Sequence, residues 1–216
     1  MQYVNASLFL FIFGGMKKTL IILIVILFAL QTQAQVNDTL DHIQTKCSSV
    51  TSLESNVTKH LVTTDSTLIE EGTLYYIHPD RIASYFERGN YMIVNGNQMK
   101  INIGIFRGRF KLSRNKTMRS LSHIYLFAVQ GRCREFAEEG NFYIQTNMDQ
   151  GYYTVQFTSK KKHFLGLGYQ QISFFYDQND LLIKKIELID SRNIIETFTI
   201  SKPQYGISID ESKFAL

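Results

Sequence analysis

The chain of 216 residues contains two cysteines, two prolines and no tryptophan. Cys47 and Cys133 stand far apart, so no local cysteine spacing marks a zinc site. The five histidines, His42, His60, His78, His123 and His163, are dispersed as well, and none falls in a His-x-x-x-His or His-Glu-x-x-His pattern. A Gly-x-Ser-x-Gly nucleophile elbow is missing. Gly166-Leu167-Gly168 is a lone Gly-x-Gly with no helix-forming run behind it, which excludes a phosphate cradle there. Glu70-Glu71 and Glu138-Glu139 are adjacent pairs whose side chains diverge on a helix or a strand. Catalytic residues, a metal and a cofactor are therefore not expected, and the chain does not read as an enzyme. Spacing leaves open only a site assembled from distant residues.

An excess of one charge is lacking too. The whole chain carries 23 basic and 19 acidic residues, a net charge of +4. The N-terminus is different in kind from the remainder. Met16-Lys17-Lys18 is a positive start, Leu20 to Leu30 is an unbroken apolar run, and Thr32-Gln33-Ala34 places small residues ahead of Gln35. The apolar run is eleven residues long, short of the roughly 20 needed to cross a hydrocarbon core. This pattern predicts a signal peptide over residues 1–34, cleaved after Ala34, with Met16 as the expected start and an uncleaved anchor as the alternative. Removing it leaves 21 basic against 19 acidic residues. That balance, together with export, argues against a nucleic-acid partner. Gln35 follows the cut where a bacterial lipoprotein has its lipid-accepting cysteine, so a soluble, non-lipidated periplasmic protein is expected. In an oxidising compartment Cys47 and Cys133 can pair, closing a loop of about 86 residues worth roughly 4–5 kcal/mol; two buried thiols are the alternative.

Apolar residues make up 44% and aromatics 13% of the chain, enough for a sizeable core, and residues 35–216 read as one domain. Asp38 or Thr39 can cap a helix carrying Leu40, Ile43, Cys47 and Val50 on one stripe. Val57 to Gly72 reads as a strand turning near Thr64-Asp65-Ser66. From Gly72 to Ile105 four strand-like runs are broken by His78-Pro79-Asp80, by Glu87-Arg88-Gly89-Asn90 and by Asn95-Gly96-Asn97, the strongest hairpin signal. Leu74 and Tyr76 share a face, as do Ile82, Ser84 and Phe86, then Met99, Ile101, Ile103 and Ile105. Their neighbours Thr73, Tyr75, Arg81, Ala83, Lys100 and Asn102 are more polar, the one-sided pattern of an antiparallel sheet.

Arg107, Arg109, Lys111, Arg114, Lys116 and Arg119 then form a basic connector, read as a solvated loop or a docking patch for an acidic partner. Ser120 to Glu139 follows as a helical segment with Leu121, Ile124, Tyr125 and Ala128 on one face, divided at Gly131. Five more strands are expected over Asn141 to Gln145, Tyr152 to Thr158, Gln170 to Tyr176, Leu181 to Ile189 and Ile194 to Ile200. Pro79 and Pro203 both sit at breaks. Short strands at this spacing predict one large antiparallel sheet or barrel.

The order of these features resembles the LolA family of periplasmic outer-membrane lipoprotein carriers. Gly72-Thr73-Leu74-Tyr75-Tyr76 with Pro79-Asp80-Arg81, then Asn95-Gly96 and the apolar helical segment, carry the likeness. So do Lys184 to Asn193, Glu196 to Ile200 and Asp210 to Phe214. The resemblance implies a mainly β (α+β) fold: an incomplete antiparallel β-barrel, like LolA, LolB and LppX, with helices forming a lid over a hydrophobic cavity. It also implies a monomeric carrier that shields lipoprotein acyl chains between the inner and outer membranes. Its partners would be an inner-membrane lipoprotein-releasing transporter and an outer-membrane acceptor; the alternative is an envelope carrier or sensor of a free lipid or glycolipid. Face assignment then puts Leu74, Tyr76, Ile82, Phe86, Met99, Ile101 and Ile103 in the cavity wall and Leu121, Ile124, Tyr125 and Ala128 in the lid. Family members place an arginine before the proline to tie the lid shut; here His78 holds that position and is the expected latch. The longer C-terminal tail of the family is not seen before Leu216.

Overall fold

In the computed structural model, residues 38–160 and 168–216 are described. The expected signal peptide, and the Lys161-Lys162-His163 turn with the start of the lone Gly-x-Gly, lie outside those residues. Leu40–Leu216 is a compact unit. A first helix, α1, covers residues 38–48 and buries Leu40, Ile43 and Cys47, the stripe expected from its spacing.

Six strands follow: β1 (Ser52–Val62), β2 (Thr67–Ile77), β3 (Arg81–Phe86), β4 (Tyr91–Asn95), β5 (Gln98–Ile103) and β6 (Phe106–Lys111). Helices α2 (Lys116–Gln130) and α3 (Cys133–Gly140) come next. Then come β7 (Phe142–Asp149), β8 (Tyr152–Ser159), β9 (Tyr169–Asp177), β10 (Ile183–Asp190) and β11 (Ile195–Tyr205). All eleven strands join one antiparallel sheet in the order β6-β5-β4-β3-β2-β1-β11-β10-β9-β8-β7. The sheet has two edges, β6 and β7, and does not close: it is an incomplete barrel. The chain passes from one edge to the other through α2 and α3, which carries the helices over the inner face.

Register fixes which side chains share that face. Leu53 lies opposite Tyr76 and Ser55 opposite Leu74; Tyr76 then faces Ile82, Ile82 faces Val94, and Val94 faces Met99. On the other wing Phe198, Ile186, Phe174 and Val155 follow one another across four strands. All of these are buried.

Several expectations are corrected. The basic connector is not a loop: Arg107, Arg109 and Lys111 are the exposed alternate positions of strand β6, while Phe106, Gly108 and Phe110 face inward. Arg114 lies in a short 3₁₀ turn, and Lys116 and Arg119 open α2, which starts four residues ahead of the expected Ser120. A run of alternating charges on an edge strand hides the strand, because only one face of it is apolar. Ile105 does not continue the inner face; it sits in the tight β5–β6 turn, 92% exposed. Strand β1 begins at Ser52 rather than Val57, because Leu53 pairs with both Tyr76 and Tyr205. Strand β7 runs on through Asn147 to Asp149, opposite Tyr152 to Thr154. Pro203 does not end its strand. A bulge shifts register between Glu54 and Asn56, Lys202 takes φ 51°, and β11 continues to Tyr205, since a bulge absorbs a residue that lacks an N–H.

The outer face of β2–β4 is also not polar. Ala83 and Ile93 are buried with Ile209 and Phe214 of the C-terminal segment, and Tyr75, Tyr85 and Tyr91 pack around them. Tyr85 donates to the Lys213 carbonyl at 2.6 Å and Asn95 Nδ2 to the Phe214 carbonyl at 3.2 Å. The sheet is thus covered on both sides here, which a period-two reading of its strands alone does not reveal.

Candidate functional site

Helix α2 is the roof of the inner face. The Asn115 side chain caps it by accepting from the Met118 amide at 3.0 Å. Its far end stops at Gly131, with φ 66°, a conformation that favours glycine. Glycine is needed twice over there, because a Cβ would lie 3.0 Å from the Cys47 Cβ and 3.0 Å from the Ile43 carbonyl oxygen of α1.

Three residues of α2 seat it: Tyr125, Ala128 and Gln130. The Tyr125 ring meets Phe198 of β11 edge-on at 5.3 Å, and the buried Tyr176 hydroxyl of β9 donates to the Ala128 carbonyl at 3.0 Å. Gln130 Nε2 donates to the Tyr76 hydroxyl at 3.2 Å and to the Pro79 carbonyl. His78 stands 3.0 Å from the same Tyr76 hydroxyl through Nδ1. Gln130 therefore ties α2 directly to the β2–β3 side of the sheet, as Tyr176 does from β9, and His78 is linked to Gln130 through the Tyr76 hydroxyl. Arg132 in turn holds the Gln130 side-chain oxygen at 3.2 Å.

The β7–β9 wing of the concavity is filled. Phe136 of α3 packs against Phe157 at 4.9 Å, Phe174 at 5.3 Å and Phe142 at 5.3 Å. Between the β4–β6 wing and β10–β11 space remains: an open-mouthed cavity of about 320 Å³. Met92, Ile101, Ile103, Phe106 and Leu121 form its hydrocarbon wall, with Ile105 at the lip. Facing them are Tyr125, Tyr169, Asp190, Arg192, Glu196 and Phe198. On a flat sheet β5 and β11 would stand five strand spacings, about 24 Å, apart; one small cavity touches both because the sheet curls.

Of the residues expected in the cavity, Ile101, Ile103, Leu121 and Tyr125 line it. Leu74, Tyr76, Ile82, Phe86, Met99, Ile124 and Ala128 share the inner face but are buried and do not line the open space. Cys47 and Cys133 are both buried free thiols. Cys47 Sγ donates to the Leu181 carbonyl at 3.5 Å, and Cys133 Sγ lies 3.4 Å from the Tyr176 hydroxyl. Among the described residues no cluster of His, Cys, Asp or Glu could hold a metal ion, and no helix is long and apolar enough to cross a membrane.

The polar wall is what a local reading misses. Glu196 accepts from Lys59 Nζ at 2.6 Å and from the Tyr169 hydroxyl at 3.1 Å. Asp190 accepts the backbone amides of Arg192 at 2.8 Å and Ile194 at 2.9 Å, and pairs with the Arg192 guanidinium. Burial raises the Asp190 carboxyl, but these amides and the guanidinium outweigh it and hold it below its ordinary value. Burial, reinforced by the Glu196 carboxylate, pushes the Tyr125 and Tyr169 phenols well up. A readable signal did exist. Lys59 sits between Val57 and Leu61, and Glu196 between Ile194 and Phe198, each a charge in the apolar phase of its strand.

No protein-family model matches the chain, and no curated protein does. Solved structures are similar in fold at low identity. A LolA superfamily protein from Nitrosomonas europaea is 11% identical with a TM-score of 0.41, over 82% of this chain and 97% of that one. An outer membrane lipoprotein-sorting protein domain from Vibrio parahaemolyticus is 8% identical with a TM-score of 0.44, over 82% and 94%. Lipoprotein LppX of Mycobacterium tuberculosis is 13% identical with a TM-score of 0.40, over 83% and 97%. Function therefore has to be read from the cavity itself.

Proposed function

We propose that this chain is an envelope carrier that hides acyl chains under α2, and, in line with the family its sequence resembles, moves lipoproteins through the periplasm from inner to outer membrane. The observation that carries the reading is the open cavity whose hydrocarbon wall, Ile101, Ile103, Phe106 and Leu121, continues into the apolar face beneath the helix. Each CH₂ buried there is worth about 0.8 kcal/mol. A ligand entering further must displace the α2 side chains Leu121, Ile124, Tyr125 and Ala128 from the same surface. That competition keeps net affinity modest, which a carrier needs in order to release its load.

One observation favours the second reading, a carrier or sensor of a free lipid. The cavity of about 320 Å³ lies at the small end of the roughly 300–1,000 Å³ typical of ligand pockets, room for a single chain while α2 stays seated. A photoreactive residue at Ile103, which lines the cavity, separates the two in cells. A lipidated protein as adduct supports the carrier reading and a free lipid the second; absence of any acylated adduct contradicts both.

A further inference from the structure

Resting on the acyl-binding reading, we propose that Tyr125 and Glu196 make the cavity selective for neutral amphiphiles with an ester- and hydroxyl-bearing head, acyl esters of a polyol, over fatty-acid anions. Three observations carry this. First, the cavity is two-sided: hydrocarbon on the β4–β6 wing, and opposite it Tyr169, Asp190, Arg192 and Glu196 set among Leu61, Ile194 and Phe198. Such a mixed wall fits a head group with its adjoining chain, because purely apolar matter laid on it would leave polar groups without water.

Second, the positive charge at the wall is already paired with acids. Among the described residues Arg192 is the one cation in the wall; Asp190 takes its Nε at 2.9 Å and an Nη at 2.8 Å, and the arginine side chain is otherwise turned to solvent, 76% exposed. Lys59, behind the wall, is held by Glu196 at 2.6 Å with its side chain only 10% exposed. An incoming carboxylate would meet two carboxylates whose partners are taken, in a partly dehydrated space where repulsion is poorly screened.

Third, the Tyr125 hydroxyl is available. Its ring is fixed edge-on against Phe198, and the hydroxyl makes no hydrogen bond among the described residues while standing close enough to Glu196 to feel its charge. The phenol stays neutral at physiological pH and donates to an ester or hydroxyl oxygen. A head-group hydroxyl donates in turn to Glu196, whose carboxylate oxygens each have a lone pair left beside Lys59 and Tyr169.

The test displaces the neutral fluorophore N-phenyl-1-naphthylamine from the purified protein with 1-dodecanoylglycerol or dodecanoate, below their micelle concentrations and at about pH 8, where the acid is ionised. The glycerol ester is expected to compete at a concentration roughly 10-fold or more lower than the anion. Tyr125→Phe, which keeps the ring, is expected to weaken the ester about 3- to 10-fold, the loss of one hydrogen bond, and to leave the anion and the fluorophore unchanged. Tyr169→Phe, whose hydroxyl is already used on Glu196, serves as a second probe and is expected to weaken the ester less. Equal competition by ester and anion, or no effect of Tyr125→Phe on the ester, overturns the selectivity while leaving acyl binding in place. Failure of both lipids and the fluorophore to bind overturns the acyl-carrier reading along with it.

Discussion

The rings of Phe86 and Phe198 lie 6.4 Å apart, although their strands β3 and β11 are three strand spacings, about 14 Å, apart along the sheet. Curl of the sheet brings them together, and Gly72 gives Phe86 its room. Gly72 is paired with Phe86 in register, and a Cβ on it would lie 2.7 Å from the Phe86 Cδ1 and 2.3 Å from the Tyr85 carbonyl oxygen. Gly72→Ala is therefore expected to destabilise the fold by about 1–3 kcal/mol. Urea unfolding followed by circular dichroism measures this, and an unchanged midpoint contradicts the close approach. Phe86→Glu is expected to unfold the sheet, because at 6% exposure its carboxylate would be buried in the interior.

The C-terminal segment is a structural cover for the outer face. Phe214 is 1% exposed and lies over the β3–β4 surface with Ala83 and Ile93. Phe214→Ala is expected to cost about 3–5 kcal/mol, lowering the melting temperature by roughly 2–4 °C for each kcal/mol in a chain of this size. Differential scanning calorimetry decides it; a shift under about 2 °C would mean that the segment is not part of the cooperative unit.

Lys59 and Glu196 are predicted to be worth more to each other than to the fold. Their side chains are 10% and 16% exposed at a separation of 2.6 Å. Removing one partner, as in Lys59→Met, strands a charge and is expected to cost about 3–5 kcal/mol. Replacing both, as Lys59→Met with Glu196→Leu, is expected to recover most of that loss. A double-mutant cycle in chemical denaturation reads the difference. Additive losses would show that the pair is not coupled.

Burial pushes the Cys47 thiol up, and burial pushes the Cys133 thiol up to about 12 against a smaller opposing effect of its Tyr176 hydrogen bond. Because both folded-state values lie above the unfolded thiol value of about 8.5, the folded state keeps protons that the unfolded chain gives up. Their contribution to stability is fully present below that value and falls as pH rises from it towards 12. Iodoacetamide at about pH 8 is expected to label neither thiol in the native protein and both after denaturation. Rapid native labelling would show that one of them is open to solvent.

Much of the β4–β5 wing and of the roof could be read from local pattern. Met99, Ile101 and Ile103 alternate strictly, and Leu121, Ile124, Tyr125 and Ala128 recur at helical spacing, so both surfaces follow from periodicity. What closes the cavity does not. Tyr169, Asp190 and Glu196 reach Ile101 and Ile103 only through the accumulated curl of many strands, and no short window of sequence contains that curl. The role of Gln130 is not legible for a different reason: it ends an apolar helix one residue before a glycine cap, where a polar residue is ordinarily at the surface. His78 holds the place before Pro79, yet the hydroxyl of Tyr76 stands between it and the helix.

The central claim, that an acyl chain enters between the β5–β6 hairpin and β11 beneath α2, is most directly tested by placing a tryptophan in a chain that has none. Phe106→Trp puts an aromatic ring in place of an aromatic ring in the cavity wall, and Tyr143→Trp puts one on the outer side of β7 at a position 62% exposed. Fluorescence is then followed during titration with an acyl glycerol brominated along its chain. Saturable quenching of the tryptophan at position 106 is expected, and none beyond collisional background at position 143. Equal quenching at both positions, or none at position 106, would contradict it.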